Sequence, residues 1–262
     1  TKPDTWELPY ETIDISEIKV VEELPVFDKG CDSSYTWAKK YKHLITDRTV
    51  EEAVDELTAL LPTSTFIHAK TGQAADMVFT GGEPMLKQAQ LSMVAIMREF
   101  AKRGDAPARV TVETNGTKAI HEDLVELIDD MHISSEFGGI IPDAKSNDIE
   151  WYWSVSPKLW TTAGEVSKRA IRPEVVADYA KASNKGQLKF VVNGSKESWD
   201  EVEEHILAFR EAGVTWPVWI MGVGGTEGLK MTEAIIADEA IQRGYYYTSR
   251  VHAHIYGNAI GK

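Results

Sequence analysis

The chain has 262 residues, 43% apolar and 26% charged, enough to bury the core of one large α/β domain or two small ones. Its 28 Lys and Arg stand against 41 Asp and Glu, and a net charge of -13 repels a phosphate backbone, so the expected partner is a small molecule and not a nucleic acid. No apolar run approaches the ~20 residues that span a bilayer, and the first residues show neither a basic stretch nor an apolar signal core, so no membrane association is expected and the expected location is cytoplasmic.

Residues 1–30 are acidic and punctuated by proline, without helical or strand periodicity, and are read as an irregular segment. Residues 31–262 read as one domain in which short β-branched and aromatic runs alternate with amphipathic stretches, the signature of βα repeats. Thr49 and Glu52 form a capping box that opens a first helix, with Val54, Leu57, Leu60 and Leu61 behind it. A strand over 77–80 ends in Gly81-Gly82-Glu83-Pro84, a helix follows over 87–103, and a strand over 109–113 ends in Thr114-Asn115-Gly116. A helix over 121–130 and a strand over 151–155 come next, then a strand over 187–192 closed by Asn193-Gly194. Ser198 and Glu201 read as a second capping box, opening a helix that stops at Gly213. A strand over 217–221, a helix over 232–242 and a strand over 246–255 complete the chain. Strands that finish in glycine-rich turns before helices place those turns at one edge of a parallel sheet, where ligands bind.

Thr80-Gly81-Gly82-Glu83-Pro84 fits two uses. Paired glycines at a strand end let a backbone approach a ligand, with a carboxylate nearby to hold an ammonium; the same string also makes a tight turn with Pro84 at a helix start. Cys31 is the only cysteine, which excludes an intrachain disulfide and leaves it as a small buried hydrophobe or a ligand. His252 and His254 alternate on the predicted strand and so share a side, a spacing open to a metal pair, though with no third ligand evident a substrate contact or a structural hydrogen bond is favoured. The tryptophans read as core and rim packing.

The Thr80–Pro84 string, following an apolar strand, resembles the S-adenosylmethionine-binding turn of the radical-SAM enzymes. Further strings narrow the resemblance to the 7-carboxy-7-deazaguanine synthases: Cys31-Asp32-Ser33-Ser34-Tyr35-Thr36-Trp37, Glu113-Thr114-Asn115-Gly116-Thr117, Val155-Ser156-Pro157-Lys158, Leu188-Lys189-Phe190-Val191-Val192 and His252-Ala253-His254-Ile255-Tyr256-Gly257-Asn258. The resemblance implies a lyase that uses a [4Fe-4S] cluster, S-adenosylmethionine and Mg²⁺ to convert 6-carboxy-5,6,7,8-tetrahydropterin to 7-carboxy-7-deazaguanine with release of ammonia, in 7-deazaguanine (queuosine) biosynthesis. It also implies an electron donor such as flavodoxin or ferredoxin; homodimers are common in the family, although nothing in this sequence marks an interface.

Carried over residue by residue, Cys31 is a ligand of the cluster, and Ser33, otherwise a turn hydroxyl, is a ligand of Mg²⁺. Gly81, Gly82, Glu83, Glu113, Ser156, Pro157 and Lys158 contact S-adenosylmethionine, while Thr80, His252 and His254 contact substrate. Three cysteinates hold such a cluster, and the family's usual motif is CxxxCxxC. Some members carry a long insertion between the second and third cysteines, and residues 1–30 resemble that insertion. On this resemblance a first barrel strand and a CxxxC pair precede Thr1 in a longer protein, and the expected fold is α/β, a partial (βα)6-type TIM-like barrel with its first strand missing. A cluster-free ligand-binding homologue and another radical-SAM enzyme, such as a glycyl-radical activase, are the alternatives; the CDSSYTW and HAHIYGN strings argue against the activase.

Overall fold

The computed structural model describes residues 14–24, 34–36, 39–137, 149–223 and 229–256. Among the described residues the fold is α/β, with six parallel strands in the order β1-β2-β3-β4-β5-β6. In chain order the elements are α1 (Val50–Leu60), β1 (Met77–Phe79), α2 (Lys87–Arg103), β2 (Arg109–Thr114), α3 (Glu122–Phe137) and β3 (Glu150–Val155). They continue with α4 (Trp160–Ala163), α5 (Ser167–Ala170), α6 (Pro173–Ala182), β4 (Gly186–Val192), α7 (Lys196–Glu211), β5 (Val218–Gly222), α8 (Leu229–Gln242), β6 (Tyr246–Tyr247) and α9 (Val251–Tyr256). The chain divides into two compact units, one of Asp47–Val155 with Glu174–Gly186, the other of Thr1–Thr46, Ser156–Pro173 and Gln187–Lys262.

In the first unit Met77 pairs with Val110, and Val110 with Trp151, in parallel register. Alternation along β2 and β3 buries Val110, Val112, Trp151 and Trp153. Met93, Val94, Met97 and Phe100 form the buried stripe of α2, at helical spacing, and Gly104 in the left-handed region (φ 72) stops that helix. The Thr49–Glu52 capping box forms as read, with both hydrogen bonds present. Tyr179 of α6 stacks on Trp153, centroids 4.7 Å apart.

In the other unit Leu188 pairs with Val218 and Trp219 with Tyr246. Leu188, Phe190 and Val192 of β4 and Trp199, Val202 and Phe209 of α7 are all buried, and the Phe190 and Phe209 rings meet with centroids 6.4 Å apart. Near the start of the chain Ile15, Leu24 and Tyr41 close a small core among 3₁₀ turns.

Three readings of the sequence are corrected. The strand expected over 246–255 is two residues long, and 251–256 is the helix α9. The ladder on β5 stops once Thr248 N donates to Ile220 O, and Val251, Ile255 and Tyr256 beyond it are exposed. The cap of α7 is Ser195, whose hydroxyl accepts from Ser198 N at 3.2 Å; Ser198 itself is buried inside the helix, and Glu201 reaches another element. Helices α4, α5 and α6 lie in a stretch for which the sequence reading proposed no element. Pro173 at the first helical position and the spacing of Val175, Val176 and Tyr179 were the available signal for α6.

Candidate functional site

β1 and β2 run parallel, so their carboxyl ends share an edge, and the turn after β1 is built there. Gly81 has φ 114, a backbone region that side chains rarely adopt, and a Cβ added to it would meet nothing within 4 Å. Glycine is therefore needed for the backbone path alone, and the turn faces open space. Thr80 Oγ1 donates to Glu113 Oε2 at 3.3 Å, which brings together two residues predicted for the site.

Glu83 braces the edge. Its Oε1 accepts from Thr114 Oγ1 at 2.5 Å and from Met85 N at 2.9 Å, and its Oε2 accepts from Asn115 N at 2.9 Å. The turns after β1 and after β2 are thus held by one carboxylate. Gly116 N donates to Thr114 Oγ1, and Asn115 Oδ1 accepts from both Thr117 N and Thr117 Oγ1, so side chains of the turn after β2 add to the hold of Glu83 on it.

Gln90, which the sequence reading did not single out, supports both turns from below. Its Nε2 donates to Met85 O at 2.7 Å and Ala119 O at 2.9 Å, and its Oε1 accepts from His121 N at 2.7 Å. The signal was a polar residue in register with the apolar stripe of Met93, Val94 and Met97. The Tyr179 hydroxyl donates to Lys118 O; burial first, and the Glu83 charge second, hold its pKa well above the ordinary tyrosine range.

Ser156, Pro157 and Lys158 open the second stretch of the other unit, Ser156 half-buried, Pro157 buried and Lys158 exposed. They lead into α4, whose first amides are held by Glu201 of α7. Cys31 and Ser33 lie outside the described residues, and of His252 only the backbone is described. His252 and His254 belong to a helix, where positions two apart do not share a face, so the same-side pairing expected on a strand is corrected.

His254 Nε2 sits 3.4 Å from Glu233 Oε2 of α8. The Tyr247 hydroxyl at the end of β6 is buried and lies close to Glu233 without a hydrogen bond of full geometry, and burial first, then the Glu233 charge and a weak hydrogen bond to that carboxylate, push it from 10.0 up to about 12. A raised phenol pKa favours the neutral, folded form. Its contribution is therefore complete below pH 10 and is lost as pH rises through about 12. The melting midpoint of the wild type is expected to fall about 2 °C further than that of Tyr247→Phe over that interval, measured by calorimetry; equal falls would contradict the placement of the hydroxyl.

Among the described residues no group of three or more His, Cys, Asp or Glu could hold a metal ion, and no helix is long and apolar enough to cross a membrane. Compared with family models, curated proteins and solved structures, the chain matches none.

Proposed function

We propose that the chain is the S-adenosylmethionine-binding part of a radical-SAM enzyme of the 7-carboxy-7-deazaguanine synthase kind, acting on 6-carboxy-5,6,7,8-tetrahydropterin, and that its six strands are a (βα)6 part-barrel. One observation carries the reading: the Thr80–Glu83 turn is open to solvent at a parallel-sheet edge, follows a left-handed path at Gly81, and is braced to the neighbouring strand end by Glu83. Such an edge is rigid where it is built and open where a ligand approaches.

The residues fit S-adenosylmethionine. The exposed peptide groups of Gly81 and Gly82 and the Glu113 carboxylate are partners for its carboxylate and amino groups, Thr80, which donates to Glu113, is assigned to the substrate, and the resemblance alone assigns Ser156, Pro157 and Lys158 to S-adenosylmethionine. When bound, S-adenosylmethionine is the source of the radical that takes a hydrogen atom from substrate. This chain's part is to orient it: Glu83 fixes the turn, and Gln90 holds that turn to the helix beneath it. The residues do not by themselves fit the cluster, because three thiolates are needed and the chain has one cysteine. Two thiolates from other polypeptide, and a one-electron donor such as flavodoxin or ferredoxin, are what this reading requires. Ser33 is the residue assigned to Mg²⁺.

Equilibrium dialysis of S-adenosylmethionine against the full-length gene product tests the reading. Saturable one-to-one binding is expected, weakened about tenfold in Gly81→Ala, because an alanine cannot hold that backbone without strain. No binding by the wild type would overturn it. The cluster-free alternative is favoured by the single cysteine, and it predicts binding that persists while anaerobic treatment with iron and sulfide yields no brown cluster absorption.

A further inference from the structure

The N-cap of α4, Leu159, offers no side-chain acceptor for the first amides of that single turn. They are satisfied by a residue 41 positions along the chain: Glu201 Oε1 accepts from Trp160 N at 2.7 Å. The other oxygen, Oε2, accepts from Thr161 N at 3.0 Å and from Thr161 Oγ1 at 2.7 Å. Next along, Thr162 Oγ1 donates to Val191 O of β4 at 2.9 Å. Leu159 is itself buried.

A carboxylate taken out of water is costly unless donors saturate it, and the Glu201 side chain is only 12% exposed, with the buried His205 Nε2 3.5 Å from Oε1. A serine or aspartate at position 159 would cap α4 locally. Using a carboxylate from α7 instead ties the turn to a second helix while Thr162 ties it to a strand, so its position is fixed and not merely its helicity.

We propose that Glu201 is a positioning residue: by clamping the Trp160–Thr162 turn it sets the place of Ser156-Pro157-Lys158, the segment immediately before it. The inference rests on the proposed function, which assigns that segment to the S-adenosylmethionine site.

Dialysis of S-adenosylmethionine against the wild type, Glu201→Gln, Thr161→Val, their double variant and Thr161→Ser tests it, with folding followed by near-ultraviolet circular dichroism and melting. Glutamine keeps the shape of glutamate but turns its own N–H groups toward amide donors. Each of Glu201→Gln and Thr161→Val is expected to weaken binding about five- to tenfold, and the pair no more than the worse single variant, because both open one clamp. Thr161→Ser, which keeps the hydroxyl, is expected to bind as the wild type does. Wild-type affinity in a folded Glu201→Gln overturns this inference alone, and so does a Thr161→Ser as weak as Thr161→Val. If Glu201→Gln does not fold, the comparison of Thr161→Val with Thr161→Ser decides it. Failure of the wild type to bind removes the functional reading and this inference with it.

Discussion

Gly116→Ala is expected to destabilise the protein by about 3 kcal/mol, seen as a lower urea midpoint with an unchanged slope. Two costs add. Gly116 has φ 76, and a side chain held in that region costs about 1 kcal/mol. The added Cβ would also lie 2.7 Å from Val155 Cγ1 and 3.0 Å from Val176 Cγ2. Val155 and Val176 are both fully buried, so neither can turn aside into solvent, and overpacking of this kind costs about 2 kcal/mol. Trimming the first neighbour relieves the clash, so Gly116→Ala with Val155→Ala is expected to lose less than the sum of the two single losses. An alanine variant with the wild-type midpoint would show that the turn after β2 is not packed as described.

Loss of the Glu83 carboxylate is the second large effect, about 3 kcal/mol for Glu83→Ala and about half of that for Glu83→Gln. Three donors converge on it, from Thr114 Oγ1, Asn115 N and Met85 N, and alanine leaves all three without an acceptor in a partly buried place. Glutamine keeps one oxygen and sets an amide N–H against a donor. A second readout is electrostatic: the Glu83 charge is one cause of the raised Tyr179 pKa, so Glu83→Gln is expected to lower that pKa without bringing it to the ordinary range, since burial is the larger cause. Ultraviolet difference titration measures it. Because Thr114 Oγ1 both donates to Glu83 and accepts from Gly116 N, the Gly116→Ala and Glu83→Ala losses are expected to be non-additive. Strictly additive losses would separate two turns that the geometry joins.

What the sequence made legible were elements whose signals are local. The helix over 87–103 falls where read because its apolar stripe has the helical period and Gly104 ends it with a left-handed residue. The glycine-ended strands over 77–80 and 109–113 are β1 and β2 to within one residue at their ends. The reading failed where a local pattern was outvoted. Val251 to Tyr256 alternates like a strand, yet β5 pairs only Tyr246 and Tyr247, and the residues beyond turn into a helix. Ser198 with Glu201 has capping-box spacing, yet Ser195 takes the cap and Glu201 serves a turn elsewhere.

The candidate site divides the same way. Thr80-Gly81-Gly82-Glu83 announces its turn, because two glycines and a carboxylate at a strand end have a local meaning. The braces were hidden: Glu83 finds Thr114 31 residues on, and Gln90 joins carbonyls on either side of β2. Long-range partners of this sort depend on the register of parallel strands, which no window of sequence contains.

The most direct measurement is anaerobic turnover by the full-length gene product after iron and sulfide reconstitution, supplied with reductant, Mg²⁺, S-adenosylmethionine and 6-carboxy-5,6,7,8-tetrahydropterin. Formation of 7-carboxy-7-deazaguanine and ammonia, with S-adenosylmethionine not consumed in proportion, is the predicted result. A reconstituted protein that binds S-adenosylmethionine and leaves the pterin unchanged would contradict it.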